Sequence, residues 1–367
     1  MLRWLLFASL VALCASLAFR TLQKRHGFNL RVHRRLPRII TSEDAQKHYH
    51  HDPEDMRMLV TLLAFSYTTN YRQVPSVQVD VTSSDLVMRF CYDVPNPSSS
   101  DPADCFNPKY SKTYVKISDQ LGMDDIHSGF PAFDPWTVHN VTFAYRNNTG
   151  QDVDLEGASG TLGLAGPSLR KYADSYFPEM VYKHLNLSVF SVMLGKTGQS
   201  GAFHFGMVCP LEPHNNTIFY IPTTSSGYWQ FSIRGFKFGK VHYSFKSQAV
   251  ISTKKGYIGM PGKFLKEMMI SYGVQWDGLY GAYTVDCSGN NLPDFEVIVD
   301  GEKLVITSAM YVYLQTPLAN GRCVVNFEDS QKFGFGPEWY FGMPLIQSYC
   351  LVFDYGNKRI GFMVNSM

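Results

Sequence analysis

From about Leu59 onward, apolar and polar positions along this chain fall into short strand-like units. Val77-Gln78-Val79-Asp80-Val81 alternates, the polar triplet Thr82-Ser83-Ser84 interrupts it, and Leu86-Val87-Met88 resumes the apolar run. Alternation broken by a polar turn predicts two strands joined by a loop. The second half of the chain holds a counterpart. Gln248-Ala249-Val250-Ile251 leads into Ser252-Thr253-Lys254-Lys255-Gly256, and Tyr257-Ile258-Gly259-Met260 turns apolar again before Pro261. That pattern predicts a buried strand delivering Ser252 to a tight turn at its end. Each polar loop is followed by an apolar segment that stops at glycine. Gly163 of Leu162-Gly163 lies 83 residues after Asp80, and Gly342 of Trp339-Tyr340-Phe341-Gly342 lies 90 after Ser252. The recurring order predicts an internal duplication of one supersecondary unit. Near the end, Gly356-Asn357 between two apolar runs predicts a hairpin. Asp52-Pro53-Glu54-Asp55 carries helix-start chemistry, and any helix there is short.

Composition narrows the class. Hydrophobic residues are 45% of the 367 and aromatics 14%, against 17% charged, with 29 Gly and 19 Pro. This is a turn-rich β profile, long enough for two lobes or one large β domain. A formal charge of +2 gives no bulk electrostatic case for nucleic acid.

The start of the chain bears on compartment. Arg3 precedes an apolar run from Trp4 to Phe19, and Ser16-Leu17-Ala18 fits small-x-small cleavage. Residues 1–18 are therefore expected to be a signal peptide. Arg20, Lys24 and Arg25 suit a retained anchor instead, which would be the route to a membrane. Residues 19–58 read as a basic linker or propeptide-like segment centred on Arg31-Val32-His33-Arg34-Arg35. Of 7 cysteines, Cys14 lies in the signal. Cys91, Cys105, Cys209, Cys287, Cys323 and Cys350 remain, an even set that suits disulfides in a secretory chain. Sequons begin at Asn140, Asn147, Asn186 and Asn215. The expectation is a glycosylated monomer, secreted or in an endomembrane or lysosomal lumen. His48, His50, His51 and Asp52 have no spaced partners, so neither a metal nor a cofactor is expected.

Several stretches resemble the pepsin-like aspartic proteases, peptidase family A1. Asp80-Val81-Thr82-Ser83-Ser84-Asp85-Leu86-Val87 is similar to that family's first active-site loop, Asp-Thr-Gly-Ser-Ser-Asn-Leu-Trp. Gln248 to Pro261 resembles the second, with Ser252 at the aspartate position. Cys105-Phe106-Asn107-Pro108, Ser159 to Ser168, Ser226 to Phe231 and the terminal hairpin also match. The resemblance covers about residues 62–366, and it fades between Val115 and Gly157, where no flap sequence is found. It implies an all-β, bilobal fold of two pseudo-symmetric lobes around a central cleft. The N-terminal lobe is placed at 59–222 and the C-terminal lobe at 223–367. It also implies disulfides Cys91–Cys105 and Cys287–Cys323, with Cys209 and Cys350 either paired in the interlobe sheet or free.

Aspartic proteolysis uses two carboxylates that share one proton. Asp80 keeps the first position and Thr253 keeps its threonine. Val81 replaces the first threonine, Ser252 the second aspartate, and Lys254 a glycine. The auxiliary acid positions hold Ser159 and Met343. A serine hydroxyl cannot share a proton with Asp80 at useful pH, and Lys254 nearby would hold that carboxylate charged. The leading expectation is a pseudoprotease that binds a peptide or protein in the interlobe cleft. Asp80 is then expected to fill the old site by bonding to Ser252 and Thr253. The alternatives are an active endopeptidase with an atypical dyad, and a structural glycoprotein scaffold.

Overall fold

A computed structural model describes residues 28–34, 58–61, 63–68, 71–73, 76–90, 105–128, 136–147, 160–172, 176–195, 201–209, 217–288, 292–314, 317–330 and 337–365. The expected signal peptide, most of the basic segment, the helix start at Asp52, Cys91, Ser159 and Asn215 lie outside these residues.

The alternating and apolar runs form sheets as the pattern predicts. Strands up to Phe219–Pro222, with the terminal hairpin, build a 15-stranded sheet; the strands between Gln230 and Phe341 build a 7-stranded and a 3-stranded sheet. Helices are few, and the longest described, Gly262–Ser271, has 10 residues. The architecture is the all-β, bilobal pepsin-like fold.

The duplication is visible in strand register. Gly160–Gly163 runs parallel to Ser76–Asp80 and antiparallel to Leu86–Phe90, which places Leu162 between Val79 and Leu86. Trp339–Phe341 runs parallel to Val241–Ile251 and antiparallel to Ile258–Met260, which places Phe341 between Ile251 and Ile258. All six of these side chains are buried. Each contributes about 1.5–3 kcal/mol relative to an exposed position. The glycine closing each unit has the same task. A Cβ on Gly163 would lie 2.5 Å from the Asp85 amide nitrogen, and one on Gly342 would lie 2.1 Å from the Lys255 carbonyl oxygen. Both glycines let backbone pass directly against the loop that holds the site.

The terminal hairpin forms as the sequence predicts, with Tyr349–Asp354 antiparallel to Arg359–Val364. It docks against Val189–Met193, and that strand continues the sheet through Gly201–Phe205 to Phe28–Arg34. Residues 31–34 of the basic segment therefore lie in a ladder rather than in a solvated linker. The reason is the alternation of Leu30 and Val32 with polar neighbours, which suits a strand despite the charge.

At the hairpin turn, buried Asp354 accepts from Asn357 N (3.0 Å), Asn357 Nδ2 (2.8 Å) and Arg359 Nε (2.8 Å). Burial alone would raise its pKa, but these hydrogen bonds outweigh it and hold the carboxyl below the ordinary 3.8. A depressed folded pKa stabilises the protein above the unfolded value, and that stability is lost as pH falls through the folded one. Asp354→Asn should therefore lower the thermal midpoint at neutral pH, with the deficit closing below pH 3.8. A deficit that stays constant across the acid range in a pH series of melts would refute this linkage.

Candidate functional site

The two loops meet at the lobe junction in matched positions. Val81 and Thr253 are equivalent residues, 172 apart, and they touch: Val81 N donates to Thr253 Oγ1 at 3.2 Å. Thr253 Oγ1 in turn donates to Val79 O at 2.7 Å. One hydroxyl thus satisfies a buried amide and a buried carbonyl of the opposite strand. Pseudo-symmetry would have the residue at 81 return these bonds to the second loop, but Val81 carries no hydroxyl. The cross-lobe clasp is one-sided.

Asp80, Ser252 and Thr253 are 4%, 3% and 1% exposed, so the sequence-predicted site residues share one buried locus. The expected bonds from Ser252 and Thr253 to the Asp80 carboxylate are not the ones formed. Asp80 Oδ1 accepts instead from Thr82 N (2.7 Å) and Thr82 Oγ1 (2.5 Å). A hydroxyl two residues on is within the carboxylate's local reach, so Thr82 satisfies it before the opposite loop can. Thr253 is engaged with backbone, and Ser252 N donates to Phe341 O at 3.0 Å. The other carboxylate oxygen, Asp80 Oδ2, lies 3.7 Å from Lys254 Nζ, whose side chain is 42% exposed. An ion pair this open adds at most about 1 kcal/mol to stability. Its importance is chemical, because it sets a positive charge beside the Asp80 carboxylate. Met343, at the second auxiliary position, is fully buried among apolar neighbours.

Sequence reasoning missed the support beneath Asp80. Leu164 N donates to Asp80 O and Ala165 N to Ser83 O, both at 2.8 Å. The Leu164 carbonyl accepts from Trp229 Nε1 (2.9 Å) and Tyr355 Oη (2.5 Å). The only available signal was aromatic residues at two loop ends, which periodicity does not link. It also missed the hairpin between 121 and 147. Leu121–Ser128 pairs antiparallel with Trp136–Asn147, although no flap motif marks it.

Cys287 and Cys323 are bonded, as are Cys209 and Cys350, the pair left open from sequence. Cys105 is disulfide-bonded too, while its expected partner Cys91 lies outside the described residues. Among the sequon residues, Asn140 and Asn186 are exposed and Asn147 ends a strand. No group of residues able to hold a metal ion occurs among those described. No described helix is long and apolar enough to cross a membrane.

Comparison with known proteins agrees with this geometry. The family model for eukaryotic aspartyl protease matches residues 69–364. The chain is 29% identical to aspartic protease 17 of Caenorhabditis elegans over 267 residues, 70% of this chain and 66% of that one. It is 30% identical to human gastricsin over 277 residues, 70% of each chain. It is 26% identical to chicken pepsin A over 305 residues, 78% of this chain and 79% of that one. The match spans just under two thirds of the length of aspartic protease 17 and 59% of aspartic protease 1 from the same nematode. With the family model covering most of the chain and the duplicated registers intact, the protein belongs to the eukaryotic aspartyl protease family.

Proposed function

We propose that this protein is a secreted aspartic-protease homologue without proteolytic activity, which binds a peptide or protein segment in its interlobe cleft. The observation that carries the reading is Lys254 Nζ at 3.7 Å from Asp80 Oδ2, in a loop whose aspartate position is Ser252. A water is activated in such sites by one ionised and one protonated carboxyl, kept apart in pKa by their mutual repulsion. A hydroxyl and an ammonium group cannot reproduce that pair. Asp80 alone can orient a water, but no second acid is in place to protonate the substrate carbonyl.

Support for retained binding comes from what surrounds the loss. Both loops keep their strand registers, and Thr253 keeps its contacts across the lobes. Secretion is part of the same reading, supported by the apolar run from Trp4 to Phe19 and by the disulfides. We also take residues 59–222 and 223–367 as the two lobes and 19–58 as a propeptide-like segment.

The test is a combinatorial peptide library incubated with the purified chain at acid and neutral pH. Cleavage is followed by mass spectrometry and binding by calorimetry. The expected result is saturable binding of a subset of peptides with no pepstatin-sensitive turnover. Pepstatin-sensitive turnover that Asp80→Asn abolishes would establish an active endopeptidase instead.

A further inference from the structure

A cavity of about 650 Å³ opens beside the lobe junction, and no residue of the Asp80 or Ser252 loop lines it. This volume is in the range of small-molecule sites, about 300–1,000 Å³. Its walls are aromatic. Tyr355 meets Trp229 at 4.8 Å between ring centroids, Tyr182 at 5.2 Å and Tyr176 at 6.1 Å. Flat faces and edges at these spacings suit a planar apolar guest.

The polar tips of this wall are not equivalent. Trp229 Nε1 and Tyr355 Oη donate to Leu164 O, and Tyr176 Oη donates to Ala165 O. The Tyr182 hydroxyl is buried and has no hydrogen-bond partner, although Tyr182 lines the cavity and is only 9% exposed. A buried unpaired hydroxyl costs about 1–3 kcal/mol, so an acceptor placed there would be retained. Burial pushes the Tyr182 phenol well above its ordinary pKa, and it remains a neutral donor. Lys183 and Lys358 also line the cavity, against the single acid Glu179. Neither lysine ammonium is in an ion pair among the described residues.

We propose that this cavity is a second binding site, for a flat aromatic carboxylate. The ring system packs against Trp229 and the tyrosines. The carboxylate faces Lys183 and Lys358, and it accepts from the Tyr182 hydroxyl once that side chain shifts to bring its buried oxygen to the cavity wall. The site is joined to the cleft by one peptide segment. The carbonyls of Leu164 and Ala165 are held by cavity residues, while their amides hold the Asp80 loop.

Calorimetry of the full chain with 2-naphthoate and with the neutral 2-naphthamide tests the proposal. Saturable binding of one naphthoate per chain is expected, tighter than the amide by about tenfold or more. Tyr182→Phe should weaken naphthoate about tenfold through the lost charge-assisted bond. Because that hydroxyl has no partner within the protein, the thermal midpoint should not fall. Lys183→Gln with Lys358→Gln should shrink the preference for acid over amide without abolishing it, because the Tyr182 hydroxyl still favours the charged acceptor. Absence of saturable binding, or an affinity unchanged in both variants, overturns the proposal.

Discussion

Ser252→Asp combined with Lys254→Gly is expected to raise kcat/KM for acid peptide cleavage by about three powers of ten or more. The two changes address two separate defects. Ser252 occupies the position equivalent to Asp80 in a loop whose strand register is already correct, so a carboxylate there enters a preformed place. At that position it would share a proton with Asp80, and mutual repulsion would keep one of the two protonated in the acid range. Lys254 has to go as well. Its ammonium stands 3.7 Å from Asp80 Oδ2, at a loop position where a glycine would let backbone approach closely. Ser252→Asp alone should therefore gain much less than the pair. Val81 and Thr82 remain unsuited, so activity short of a full protease is expected. The decisive measurement is pepstatin-sensitive turnover by the single and double variants on the same substrate. A double variant as inert as the parent would place the defect elsewhere in the cleft.

Cys209→Ala with Cys350→Ala is expected to cost about 5 kcal/mol, more than the roughly 4 kcal/mol expected for Cys287→Ala with Cys323→Ala. The ranking follows from sequence separation, 141 residues for the first bridge and 36 for the second. Closing a longer loop removes more freedom from the unfolded chain. Location acts in the same direction. Cys209 and Cys350 are 1% and 0% exposed, and they tie the terminal hairpin strand to chain just beyond Gly201–Phe205. Cys287 lies just past the end of the central strand of the 3-stranded sheet, after Asp286, its side chain only partly buried. Denaturant midpoints of the two double variants decide the matter. Equal losses, or a larger loss from the shorter loop, would show that strain or residual unfolded structure outweighs loop entropy here.

The fold was legible in sequence because it rests on local patterns that repeat. Val77 to Val81 and Gln248 to Ile251 announce strands without reference to anything distant. Gly163 and Gly342 follow the loops at similar spacing, and the duplication they predict appears in the matched strand registers. Tertiary choices were legible only in part. The loss of the second aspartate could be read directly at Ser252. The partner chosen by Asp80 was misread, because Ser252 and Thr253 across the lobes were expected to donate and the local hydroxyl of Thr82 does so instead. The pairing of Cys209 with Cys350 was open because only three-dimensional reach decides it. The Leu164 support was invisible, since Trp229 and Tyr355 reach it from places 65 and 191 residues away. The hairpin at 121–147 forms without a motif because strand pairing needs complementary registers, not a particular signature.

The strand Phe28–Arg34 carries one more consequence. It has a neighbour on each side, Gly201–Phe205 and Met58–Thr61, and so it is an interior strand of the sheet. A nick anywhere between residues 35 and 57 would cut the covalent link yet leave both ladders intact. The severed piece would stay with the body as a non-covalent subunit, visible as a separate band only after denaturation. Stripping it away would bare two unpaired edges at once, each a template for self-association.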